Sequence, residues 1–265
     1  MDCWHGARAN VGVRSLDIGI LAMNRTIYIG YDPREEAAFG VCLSSLLSRM
    51  SEPIPVHKLA LGELRARGLY TRPTTHKGNH LIDMLSARDD YDGAMSTEHA
   101  IARFFVPLLA RSGWVLFMDG DMLVRDDICK VFEGLDDTKA VYCVQHDHRP
   151  PTDAKMDGQI QTRYYRKNWS SFLIFNCDHP AHKCLPKIVN DIPGRDLHAF
   201  GWLEDEEIGK LDQKWNYLVG WTDARVEPAV VHFTEGLPDM PGYSNVAYAD
   251  EWRAELAKIA PLAAE

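Results

Sequence analysis

The apolar segment Trp114-Val115-Leu116-Phe117-Met118 stops at two carboxylates, Asp119 and Asp121, held one residue apart by Gly120. Five consecutive apolar residues fit a strand covered on both faces, the ordinary state of a strand in a parallel sheet. Ligand sites of open α/β sheets lie just beyond the carboxyl ends of such strands, and the two acids fall at such an end. At that spacing they can jointly offer oxygens to a hard divalent cation, while Gly120 lets the backbone bend and approach a ligand closely. The competing reading is a plain Asp-Gly turn, and the residues alone leave both open.

The chain has 265 residues, 46% of them hydrophobic, enough to bury a sizeable core. We expect one domain over residues 23–265, preceded by an extension over 1–22 that has no clear periodicity, with Met23 as a candidate natural start. No apolar run approaches the ~20 residues of a membrane span, and the N-terminus lacks the continuous hydrophobic stretch of a secretory signal. A cytoplasmic location follows as an expectation. The six cysteines have no Cys-x-x-Cys spacing, so neither a zinc site nor a disulfide framework is indicated. A formal net charge of −9 disfavours nonspecific attraction to nucleic acid or anionic membranes.

Along the chain, Thr26-Ile27-Tyr28-Ile29-Gly30 reads as a first strand. Tyr31-Asp32-Pro33-Arg34-Glu35 then carries the signals of a helix start: Asp as N-cap, Pro at the first helical position and Glu three residues after the cap. A helix to about Leu47 follows, then a strand at Val56–Leu59 and an irregular polar stretch to about Ser96. A second helix is expected from Ser96-Thr97-Glu98 through Leu109, delivering the chain to the Asp-Gly-Asp strand. Further strands are expected at Ala140–Val144, Ser170–Asn176 and Ala229–Gly236, the last with His232 near its end. Strand, helix and strand in that order imply a parallel sheet. His146-Asp147-His148 is either a metal-binding pair or a strand cap. The polar segment from about Arg149 to Trp169 is long enough to be a functional lid.

Taken together, these residues resemble the sugar-nucleotide-dependent glycosyltransferases of the GT-A fold, most nearly the retaining galactosyltransferase and glycogenin type. The resemblance covers roughly residues 26 to 243. It implies an α/β fold with a mixed, mostly parallel central sheet flanked by helices. It also implies a metal site of Asp119, Asp121 and His232 that holds Mn²⁺, or Mg²⁺, on the diphosphate of a nucleotide sugar. By the same resemblance Arg103 reaches the donor sugar or the Asp-x-Asp pair, and Asp32 reads the base with Tyr31 beside it. Asp205 and Glu206, in Asp205-Glu206-Glu207-Ile208, border the sugar and the acceptor. Gly120 and Gly236 approach the donor. Where the family often carries a lysine after the closing His and Gly, this chain has Leu237-Pro238. Either the clustered cations Arg163, Arg166 and Lys167 neutralise the diphosphate instead, or the metal alone suffices.

The implied function is metal-dependent transfer of a hexose from a nucleotide-diphosphate sugar, a UDP-sugar being favoured, to a hydroxyl acceptor. Modified DNA as acceptor is disfavoured by the net charge. Breaking a sugar–phosphate bond leaves a dinegative group, which a divalent cation stabilises, and a nearby carboxylate can support an oxocarbenium-like sugar. Trp169, Trp202, Trp215 and Trp221 are candidates for stacking on a sugar. Two other readings stand beside this one. A nucleotidyltransferase shares the metal carboxylates but usually has a Gly-rich basic loop after its first strand, which Gly30-Tyr31-Asp32-Pro33-Arg34 is not. A nucleotide-sugar- or carbohydrate-binding protein without turnover has the same residues.

Overall fold

The computed structural model describes residues 24–88, 91–147 and 166–259. Its central sheet has six strands in the order Ile208–Lys210, Val141–Cys143, Phe172–Asn176, Trp114–Met118, Arg25–Tyr31, Val56–Ala60. Five run parallel to one another, and Phe172–Asn176 runs against both of its neighbours. Trp114–Met118 is buried along its whole length, as five apolar residues in a row require. Val115 and Phe117 pack with Phe104, Phe105 and Leu173 on one face. Trp114, Leu116 and Met118 pack with Ile27, Ile29 and Leu46 on the other, the alternation a pleated strand imposes.

The reversed strand changes which residues meet the Asp-Gly-Asp turn. Phe172 stands opposite Met118, and the amide of Asp119 donates to the carbonyl of Ser171 at 2.9 Å. The amino end of Phe172–Asn176 therefore borders the turn. Asn176 lies opposite Trp114 at the other edge, where its Nδ2 donates to the carbonyl of Asp137 at 3.0 Å.

Beyond the turn the chain enters a second sheet, ordered Tyr217–Leu218, Val230–His232, Met122–Val124. Val230–His232 is antiparallel to Met122–Val124, with His232 opposite Met122, and the Phe233 amide donates to the Asp121 carbonyl at 3.1 Å. The helix Glu36–Arg49 lies over this sheet, burying Ala38 and Val41 against Leu123, Val231 and Trp252 of the last helix, Ala249–Ile259.

Two local expectations are corrected. The stretch before Ser96 is not irregular: Thr74–Lys77, His80–Asp83 and Ala94–Met95 form an antiparallel sheet. Lys77 pairs with His80, leaving Gly78-Asn79 as a two-residue hairpin loop with Gly78 at φ 59°. Nor does a helix start at Ser96. The Glu98 amide donates to Asp32 Oδ2 at 2.9 Å and the Ser96 carbonyl accepts from Arg34 Nη2 at 2.8 Å, which turns this backbone toward the first strand. Helical geometry begins as a 3-10 turn at Ala102–Phe105 and continues through Val106–Ala110.

Candidate metal centre

Asp119 and Asp121 follow the carboxyl end of the central strand, and the antiparallel register of the second sheet brings His232 alongside. One ligand atom from each of the three residues lies within 4.8 Å of the other two. His232 Nε2 is 3.3 Å from Asp121 Oδ1, an oxygen that is buried and accepts no hydrogen bond. That oxygen is completed either by a proton on His232 or by a cation held between the two side chains. Two carboxylates and an imidazole are a donor set suited to Mn²⁺ or Mg²⁺, the nitrogen favouring manganese. The residues present therefore fit the implied ion.

His232 is oriented from behind. Its Nδ1 is 3.0 Å from Asn216 Oδ1, so Nδ1–H donates there and the lone pair of Nε2 faces Asp121. Asn216 is fixed in turn, its Nδ2 donating to Ser171 Oγ at 2.8 Å. Burial opposes charging His232, but the Asp121 carboxylate outweighs it and raises the imidazole above its ordinary value.

Asp119 is clamped on both oxygens, Oδ2 accepting Arg103 Nη1 at 3.5 Å. Its Oδ1 receives Arg103 Nη2 at 2.9 Å and His99 Nε2 at 3.1 Å, while Arg103 also donates to the Ser170 carbonyl at 2.6 Å and the Ala100 carbonyl at 3.0 Å. Burial pulls the carboxyl upward, and the Arg103 guanidinium with His99 overcomes it, holding Asp119 below the usual range. His99 reaches this position because Gly30 has no side chain: a Cβ there would stand within 2.8 Å of three ring atoms of His99. Glu35 is a further acid of this neighbourhood. Its own burial, then the charges of Asp121 and Asp32, push it up to about 8.

Of the other expected residues, Asp32 caps its turn, as its position required. It is 2% exposed, with Oδ1 accepting the Arg34 amide at 2.9 Å and Oδ2 accepting Arg34 Nη2 at 2.7 Å. Burial and these bonds compete, and the bonds hold its pKa low. Tyr31 ends the first strand, edge-on to Phe39 at 5.2 Å and under Lys58 Nζ at 4.6 Å. The space a Cβ on Gly120 would need is taken by the Gly30 carbonyl at 2.5 Å, so this glycine lets two strand ends meet. At Gly236 the same space is filled by the ring of Tyr243.

Asp205 and Glu206 are not joined to the triad. They form the turn Asp205–Glu207 that leads into Ile208, and Ile208 pairs with Val141 at the start of that strand, whereas Asp119 follows a strand end. Asp205 pairs with Arg166, and the Glu206 carbonyl accepts Lys139 Nζ at 2.6 Å. Arg166 also donates to the Ala199 carbonyl at 2.8 Å and lies 5.3 Å above the Trp169 ring. Lys167 is half-buried beside it. Arg163, His148 and most of the expected lid lie outside the described residues, as does the extension over 1–22.

Reading the sequence missed His99, Asn216 and Glu35. For Asn216 a signal existed, since Trp215-Asn216 ends an apolar-flanked turn just before a short strand; for His99 the only signal was its place four residues before Arg103.

Comparison with known proteins places the fold. The chain is 40% identical over 237 residues to Protein CDI of Arabidopsis thaliana, covering 87% of this chain and 85% of that protein. No protein-family model matches. Among solved structures, the bifunctional glycosyltransferase WbbM in its apo form aligns over 90% of this chain with a TM-score of 0.57 and 12% identity; the chain spans 50% of that protein's length. The galactosyltransferase LgtC, in complex with donor and acceptor sugar analogues, aligns over 88% of this chain and 95% of its own, with a TM-score of 0.56 and 17% identity. The glycosyltransferase GlyE of Streptococcus pneumoniae TIGR4 aligns over 88% of this chain and 60% of its own, with a TM-score of 0.52 and 13% identity. The architecture is thus the GT-A fold, with an Asp-x-Asp triad at the expected strand end. The chain belongs to the family of Protein CDI, whose name states no chemistry.

Proposed function

We propose that this chain is a metal-dependent glycosyltransferase that moves a hexose from a nucleotide-diphosphate sugar, a UDP-sugar in the favoured case, to a hydroxyl acceptor. The observation that carries the reading is the buried, bond-free Oδ1 of Asp121 beside His232 and Asp119, at the strand end where the GT-A fold exposes its ligand edge. Asp119, Asp121 and His232 would hold Mn²⁺ or Mg²⁺, whose charge stabilises the departing diphosphate.

In this reading Arg103 and His99 hold Asp119 in one orientation and Asn216 holds His232, so the ligand set is built before the donor arrives. Tyr31 and the Asp32 turn border the base. The acceptor oxygen forms a bond to the anomeric carbon as the bond from that carbon to the diphosphate breaks; the electron pair leaves with the diphosphate, which also takes the hydroxyl proton. Lys167 is the described cation we assign to the diphosphate, together with Arg163. The roles that the resemblance implies for Asp205 and Glu206 are not carried into this scheme, since their turn precedes Ile208 at the start of its strand, whereas Asp119 follows a strand end. No helix among the described residues is long and apolar enough to cross a membrane, and we place the reaction in the cytoplasm.

The test is calorimetry of UDP against the chain with Mn²⁺ and with EDTA, on the wild type and on Asp121→Asn. Binding that needs Mn²⁺ and weakens at least about tenfold in Asp121→Asn supports the reading. Binding indifferent to both overturns it.

A further inference from the structure

The four tryptophans considered for sugar stacking have separate fates. Trp215 is buried in the core. Trp202 sits in an aromatic cluster with Phe104 and Phe200. Trp169 lies beneath the Arg166 guanidinium, and its Nε1 donates to the His146 carbonyl at 2.9 Å. Trp221 is 37% exposed, one of three large apolar side chains exposed among the described residues.

Its place in the fold sets it apart from an ordinary surface residue. Leu218 pairs in parallel with His232, and the Val219 amide donates to the His232 carbonyl at 3.1 Å. The chain then turns at once: Gly220 takes φ 82°, and the Trp221 amide donates back to the Leu218 carbonyl at 3.1 Å. The turn that carries Trp221 therefore stands at the same sheet edge as His232, one strand over. Three residues past His232, Glu235 Oε1 accepts the indole Nε1–H at 3.2 Å. That bond fixes the tilt of the ring. A lone exposed apolar residue normally needs no explanation, but this one is braced by a carboxylate three residues past His232, at the sheet edge that carries the imidazole.

We propose that the indole of Trp221, held by Glu235, is the platform on which the pyranose ring of a neutral sugar acceptor lies beside the metal centre. The inference rests on the glycosyltransferase reading. A pyranose has an apolar C–H face that covers a flat aromatic ring, and hydroxyls at its rim that donate to a carboxylate. Glu235 is the carboxylate this platform offers to such a hydroxyl. Its negative charge, on a chain of net charge −9, opposes uronic acids, sialylated ends and nucleic acid.

The experiment uses saturation-transfer NMR on the full chain loaded with UDP and Mn²⁺. Methyl β-glucoside, methyl β-galactoside and methyl α-mannoside are the neutral probes, and methyl β-glucuronide is the anionic one. At least one neutral glycoside is expected to receive saturation, strongest on ring C–H protons, and the glucuronide none. Trp221→Ala should weaken that contact about tenfold, Trp221→Phe should keep part of it, and Glu235→Gln should admit the glucuronide. Calorimetry of UDP with Mn²⁺ on each variant separates two failures. If UDP binds all variants alike and the glycosides contact Trp221→Ala as they contact the wild type, or contact neither, the platform is overturned while the donor site stands. If the wild type binds no UDP with Mn²⁺, the reading beneath it falls and takes the platform with it.

Discussion

Asn216 Oδ1 stands 3.0 Å from His232 Nδ1, so the imidazole that closes the triad is held in one tautomer by a residue sixteen positions earlier in the chain. Partners that orient a metal-bound histidine typically contribute 10- to 100-fold to affinity. Asn216→Leu is therefore expected to weaken Mn²⁺ binding by about that factor, measured by calorimetry or by the paramagnetic relaxation of bound manganese. An affinity equal to the wild type's would mean that Asn216 is core packing only.

Gly30 and His99 make a second such pair. Gly30→Ala would push its Cβ into the His99 ring, displacing it from Asp119 and overpacking a site with no slack. A loss of about 1–3 kcal/mol in urea unfolding is expected. Mn²⁺-dependent UDP affinity should fall as well, because Asp119 loses a donor. His99→Ala in the Gly30→Ala background should restore the stability but not the affinity; recovery of both would show that His99 has no hold on the metal site.

The pH dependence follows from His232 and Glu35. His232 is raised above its ordinary value, against its burial and through the Asp121 charge. In the metal-free chain its stabilising charge is present below pH ~6.5 and is lost as pH rises through the raised value. Glu35, pushed up to about 8 by burial and Asp121, acts in the same direction between its unfolded value near 4.5 and about 8. Unfolding in EDTA should thus show stability declining from pH ~5 to ~8. His232→Gln and Glu35→Gln should each flatten that decline. Mn²⁺ affinity should show the opposite slope, rising with pH, because the ion replaces the proton on His232. Two profiles with the same sign would contradict the arrangement.

How far the sequence discloses this site depends on whether a residue announces itself locally. Asp119 and Asp121 do, because charges that end a fully apolar strand need a reason. His232 does, through its place directly after the apolar run Ala229-Val230-Val231. Asp32 also does, and its cap matches the helix-start chemistry. The direction of Phe172–Asn176 is not local: an apolar run reads the same whichever way the strand runs, and only its partners decide. His99 and Asn216 act through residues far from them in sequence, and the hairpin at 74–83 is too polar to look like a pair of strands.

Arg72 and Asp83 form an ion pair with both side chains fully buried, and Arg72 also donates to the carbonyls of Val189 and Ile192. The pair ties the hairpin sheet to the segment that carries Gly194–His198. Removing one partner leaves the other charge buried and alone, at a cost of about 3–5 kcal/mol, whereas replacing both with apolar residues is often close to neutral. Asp83→Asn is expected to lower stability by that amount, and Arg72→Met with Asp83→Leu to recover much of it. Equal losses in the single and double variants would show that the hydrogen bonds to Val189 and Ile192, rather than the charges, hold the two segments together.

Arg166 and Lys167 are adjacent, yet the structure gives them different surroundings, and their variants should separate accordingly. Arg166 is buried, paired with Asp205, bonded to the Ala199 carbonyl and stacked on Trp169. Its backbone takes φ 64°, a conformation that costs a non-glycine residue energy and persists only where neighbours impose it. Arg166→Met should therefore lower thermal stability first, with kcat and KM changing together as the turn before Ser170 loosens. Lys167 is the cation we assign to the leaving diphosphate, and neutralising a leaving group acts on the transition state more than on ground-state binding. Lys167→Met is expected to lower kcat for donor hydrolysis by about tenfold or more, with a smaller change in KM. A Lys167→Met variant with wild-type kcat would remove this residue from the chemistry and leave the diphosphate charge to the metal site and Arg163.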